Sequence, residues 1–125
     1  MNIKKPARFI AAAVSAIIGH DAAFAHHSAA AFDRTKPVTL DGTVQQFLWD
    51  NPHTWVIVAV PDGKGGTQLW KCEGPPTNML TRNGWTYRSF RPGDKIHLLL
   101  APYRDGSYGG EFLVARDGSG KQLKF

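Results

Sequence analysis

An all-β fold with one short helix is what this sequence predicts, and three observations carry the prediction. Five short stretches are rich in β-branched and aromatic residues or alternate apolar with polar ones. Turns containing glycine and proline separate them. A single stretch, between the third and the fourth, breaks the β pattern. Three strands, a short helix and two further strands is the order of a five-stranded OB-like barrel, a partly open Greek-key barrel. The same order leaves a small β-sandwich open as the alternative.

The first strand is expected over residues 38–49 (VTLDGTVQQFLW), with Gly42 in mid-run, where a glycine marks a bulge or a sharp bend. Asp50–Asn51–Pro52 turns the chain. Residues 54–60 (TWVIVAV) form a nearly apolar second strand, and PDGKGG after it has the composition of a hairpin turn. Residues 67–73 (TQLWKCE) alternate and return as the third strand. Thr77 and the pair Met79–Leu80 suit a short helix that Asn83–Gly84 ends. RPGDK turns into a fourth strand at 96–101 (IHLLLA). The loop PYRDGSYGG precedes a fifth at 111–116 (EFLVAR), and DGSGKQLKF closes with a turn and a short tail. Val44, Val56, Val58, Leu69, Ile96, Leu98, Phe112 and Val114 are expected to supply much of the core.

The beginning of the chain has the layout of an export signal. Lys4, Lys5 and Arg8 form a basic start without an acid, and residues 9–19 (FIAAAVSAIIG) are an uncharged apolar run. That run is too short to cross a bilayer, which needs roughly 20 apolar residues. Ala23 and Ala25 fit the small-x-small rule, so cleavage is expected after Ala25, with no stable membrane anchor left behind. The expected organisation is a cleaved signal peptide at 1–25, an N-terminal extension at 26–37 and the barrel at 38–125, located in the periplasm or secreted.

The full chain has a formal net charge of +5. Removing Lys4, Lys5, Arg8 and Asp21 leaves 12 basic and 9 acidic residues, scattered rather than clustered. A charge of that size, together with export, argues against nucleic acid as a partner. Cys72 is the one cysteine, so no internal disulfide can form and packing must hold the fold.

The segments AHHSAAAFD, VTLDGTVQQFLWDNPHTWVIV, GWTYRSFRPGDKI and APYRDGSYGGEFLVA resemble a family of small exported bacterial proteins known only as a domain of unknown function. The shared pattern runs HHS, a phenylalanine-containing segment, a GTV strand, W-x-NPH, GW, PGD and P-x-RDGS. Its most distinctive positions fall on His26, His27, Ser28, Phe32, Trp49, Asn51, Pro52 and His53. Cys72 does not belong to that pattern, and the resemblance implies no activity.

Two functional readings follow from the residues. In the first, His26 is the mature terminus, and its α-amino nitrogen and ring Nδ1 chelate one metal ion. Amine and imidazole donors in a plane suit copper(II) better than magnesium or calcium. His53, in the turn DNPH, is the expected further ligand, and His27 can serve in its place. Phe32 is the expected apolar anchor for the segment. A freshly cut terminus is also often disordered, which leaves an idle histidine pair as the plain alternative. His97, in KIHLLL, is expected to face away from Ile96 and Leu98 and to take no part.

In the second reading the module needs no metal and binds a glycan, a small ligand or a periplasmic protein through aromatic and polar side chains. Trp49, Asn51, Trp70 and Tyr103 are the candidates. Packing in the core or at the barrel lip is the plain role for such rings. No HExxH, GxSxG, Ser-His-Asp ordering or paired-carboxylate motif is present, which favours a non-enzymatic binding module. Glu73 and Asp50 read as lone acids that are solvated or turn-forming.

Overall fold

The computed structural model describes residues 29–125. The elements run β1 (Val38–Leu48), β2 (Trp55–Pro61), β3 (Thr67–Glu73), α1 (Thr77–Arg82), β4 (Lys95–Pro102), β5 (Gly109–Asp117) and β6 (Gln122–Leu123). Neighbouring strands follow the order β3-β2-β1-β4-β5-β6, and a parallel pairing of β3 with β5 closes the sheet on itself. The result is a five-stranded OB-like barrel with one short helix and one additional strand. β2, the most apolar strand, lies between β1 and β3 and is paired on both sides, so its backbone presents no sticky edge.

β1 serves both halves of the barrel. Val38–Thr43 pairs with β4, and Thr43–Leu48 pairs with β2, so Thr43 is shared. Gly42 sits at this changeover. A β-carbon there would come within 2.5 Å of Val58 Cγ1 and 2.6 Å of the Ala59 carbonyl oxygen, so only glycine admits the close approach of β2. The bulge itself falls one turn of the pleat later, where register slips between Val44 and Gln46.

A second slip lies in the β4–β5 pairing, where Leu99 faces Val114 but Leu100 faces Phe112, leaving Leu113 as the extra residue. Each bulge inverts the alternation beyond it. In β1 the inward positions pass from Leu40 and Val44 to Phe47, and in β5 from Phe112 to Ala115. Val114, expected in the core, is therefore only half-buried. Leu69 is a second departure. Cys72 is fully buried and Trp70 packs on the core, so period-2 alternation turns Leu69 outward, where it is 53% exposed. The other expected core residues, Val44, Val56, Val58, Ile96, Leu98 and Phe112, are buried.

One end of the barrel is plugged by aromatic rings. Leu80 of α1 is fully buried, and Trp85 and Phe90 from the following segment pack with it. Phe47, Trp49 and Phe125 surround these rings with edge-on contacts at centroid distances of 5.7–6.4 Å. Gly84, at φ 86°, ends the helix as its sequence suggests. The tail does more than its sequence suggests. β6 pairs with β5 at Ala115 and Arg116, and Trp85 Nε1 donates to the Lys124 carbonyl at 2.7 Å.

Candidate functional site

The closing seam between β3 and β5 carries an unusual set of charges. Glu73 ends β3, opposite Trp55 of β2 on one side and Glu111 of β5 on the other. Its carboxylate is buried, with its side chain 10% exposed, and His53 Nδ1 lies 3.1 Å from its Oε1. His53 stands two residues before β2, in the turn after β1, and keeps 37% of its side chain exposed.

The backbone around this pair is tied down. Thr54 is fully buried and donates through Oγ1 to the Pro75 carbonyl at 2.8 Å, while the Gly74 amide donates to the Thr54 carbonyl at 2.8 Å. A β-carbon on Gly74 would come within 2.5 Å of Thr54 Oγ1 and 3.0 Å of Phe112, so the turn bearing His53 and the end of β3 interlock only through glycine.

Charge is distributed unequally between the two glutamates. Arg34 grips Glu111 with a forked pair of donors, Nη2 at 2.6 and 2.9 Å and Nε at 3.0 Å. Among the described residues no arginine pairs with Glu73, whose one ionic partner there is His53. Burial pushes its carboxyl above the usual range and Glu111 adds to that, while His53 and Lys71 pull it back. Tyr103, at the end of β4, is pushed up to about 12 by burial and then by Glu73. A buried acid with a histidine beside it marks a functional candidate.

The segment before β1 docks beside this seam. Phe32 is 3% exposed, bridges to Tyr103 as an isolated antiparallel pair and packs on its ring at 5.1 Å. The Asp33 amide donates to the Pro102 carbonyl at 2.8 Å, and the Arg104 amide donates to the Ala31 carbonyl at 2.9 Å. Arg34 then reaches Glu111. Phe32 is thus the apolar anchor, as its place in the sequence suggests. His26 and His27 lie outside the described residues.

The other candidates are dispersed. Asn51 Oδ1 accepts from the Thr77 amide at 3.3 Å and from its hydroxyl at 3.0 Å, which ties the β1–β2 turn to the start of α1. Trp49 packs edge-on against Phe47 at 5.8 Å. Trp70 packs on the core and meets Tyr108 at 5.4 Å. Tyr103 carries Phe32. His97, half-exposed on β4, faces Asp41 of β1, with Nδ1 2.5 Å from Oδ1. The thiol of Cys72 is fully buried and pushed up to about 12 by desolvation. Among the described residues no three histidine, cysteine or acidic side chains gather as a metal cage, and no helix is long and apolar enough to cross a membrane.

Sequence reasoning missed Glu73, Glu111 and Arg34. Glu73 reads as a lone solvated acid, yet it is buried against His53. The alternation of TQLWKCE gives the correct face, but nothing local announces a parallel partner 38 positions further along the chain.

Fold and site together define a small OB-like barrel with a histidine–carboxylate pair beside the turn between its first two strands. OB folds place ligands around that turn, the β4–β5 loop and the β2–β3 face. Residues 13–112 match the family of unknown function DUF6152, and the chain belongs to that family. No curated protein and no solved structure matches it.

Proposed function

We propose that this protein is an exported, non-enzymatic module that binds a transition metal, copper(II) by preference, between its mature N-terminus and the His53 turn. The observation that carries this reading is the docking of the N-terminal segment at the seam that holds His53. Phe32 on Tyr103 and Arg34 on Glu111 fix the segment where Glu111 and Glu73 are register partners. His26 stands six positions before Phe32. Ala29 and Ala30 are helical, and full extension of the whole stretch would set an upper limit of about 20 Å on how far His26 lies from Phe32.

The donor chemistry supports the same choice. A terminal amine with its own imidazole forms a chelate, His53 adds a second imidazole, and nitrogen donors of this type favour copper(II). Pre-anchoring by Phe32 matters energetically, because ordering a free backbone costs about 1–2 kcal/mol per residue. His27 is the substitute donor if His26 is displaced.

The test is a copper(II) titration of the protein recovered after export, with its N-terminus read by intact mass. The expected result is a mature chain starting at His26 that binds one equivalent. His53→Ala should weaken binding at least tenfold and His97→Ala should leave it unchanged. Equal affinity in His53→Ala and the parent would reject the reading. It would favour a metal-independent module that binds a glycan or a periplasmic protein around Trp70 and Tyr103.

A further inference from the structure

We propose that His53 presents Nε2 as the metal-binding atom and that Glu73 is the positioning residue that selects it. This deepens the proposed metal function and rests on it, but the geometry that supports it belongs to His53 and Glu73 alone. Nδ1 of His53 lies 3.1 Å from a carboxylate that is itself buried, whereas 37% of the histidine side chain remains open to solvent. A negative oxygen at that distance favours the proton on Nδ1, and the neutral ring then carries its free electron pair on Nε2, away from the carboxylate.

Histidines that ligate metals commonly donate their second ring nitrogen to a carboxylate, which fixes tautomer and orientation and makes the ligand more basic. Glu73 is placed to do this without becoming a ligand. It is nearly inaccessible, it lies opposite Trp55 in the sheet ladder, and the Gly74–Thr54 interlock sets the turn against it.

His97 shows why the pair at His53 differs from a chance histidine–acid contact. Its partner Asp41 is 68% exposed, so water competes for both groups and neither is oriented by burial. His53 has the open ring and the buried acid. That asymmetry is what a metal-presenting histidine needs.

The decisive experiment reads the tautomer first and the metal second, on the exported full-length mature protein. In the metal-free form, nitrogen-15 NMR of the imidazole ring should show His53 with its proton on Nδ1 at slightly alkaline pH. Glu73→Gln keeps an oxygen acceptor and should retain that tautomer, whereas Glu73→Leu should lose it. Copper(II) affinity should fall about 10–100-fold in Glu73→Gln, the range typical of such outer partners, and further in Glu73→Leu. Zinc, used as a diamagnetic probe, should shift Nε2 and leave the Nδ1 proton in place.

A proton on Nε2 in the metal-free protein, or a zinc shift centred on Nδ1, would overturn the inference while leaving copper binding intact. Unchanged copper affinity in Glu73→Leu, with the fold retained, would also overturn it. A parent protein that binds no metal would remove the proposed function and the ligand assignment together.

Discussion

At the scale of single residues, burial decides which groups can act. Cys72 and Glu73 are neighbours at the end of β3, and the barrel treats them oppositely. The thiol is enclosed with apolar partners, and burial raises its ordinary value to about 12. At pH 8 that leaves about one thiol in ten thousand ionised. Cys72 is therefore predicted to resist iodoacetamide at pH 8 in the native protein and to react when guanidinium unfolds the chain. Rapid alkylation of the folded protein would contradict this. Glu73, also buried, keeps a histidine beside it. His53 and Phe32 are singled out by the sequence because their residue types and their places beside a turn and a terminus suggest a ligand and an anchor. Glu73 is not, because its role depends on which strand closes the barrel against it.

At the scale of elements, strand order is readable from composition and turn chemistry, whereas phase is not. The bulges at Gln45 and Leu113 insert one residue each and invert which side chains face inward. A period-2 pattern in residues 111–116 offers both phases, which is why Val114 reads as core and Ala115 takes the position. The two-residue β6 is equally hidden, because so short a strand exists only through its pairing with β5.

Turns are more legible. In each DGS loop the aspartate accepts from the backbone amide and the hydroxyl of the serine two residues on, at 2.9 and 2.6 Å for both Asp105 and Asp117. These hydrogen bonds hold both carboxyls below their ordinary value. A lowered folded value means the contribution is complete above about pH 3.8, the ordinary value, and is lost as pH falls through the folded one. Carboxyl NMR titration is expected to give midpoints below that value for both residues. Protection of the Ser107 and Ser119 amides, relative to their intrinsic exchange at each pH, should fall only on that acid side. Midpoints at or above the ordinary value would show that the turns are not held this way.

At the scale of the whole molecule, the N-terminal segment is part of the barrel's architecture rather than an appendage. Phe32 is as buried as Leu40 of β1, and Arg34 makes the forked ion pair that neutralises one of the two seam glutamates. Phe32→Ala is predicted to cost about 3–5 kcal/mol if the pocket on Tyr103 stays open, and less if the segment simply detaches. Thermal unfolding distinguishes the cases, because detachment should also expose the Arg104 amide to exchange. No change in either readout would mean that the segment is not anchored in solution.

The central claim is that the mature terminus and the His53 turn hold the same metal ion, and a double-mutant cycle on copper(II) affinity tests it most directly. One arm adds a single glycine before His26, the other replaces His53 with alanine, and the fourth corner carries both changes. If both groups bind one ion, each change alone weakens binding at least tenfold and the combined loss is clearly smaller than the sum of the two in free energy. Strictly additive losses, or full affinity in either single variant, would contradict the account.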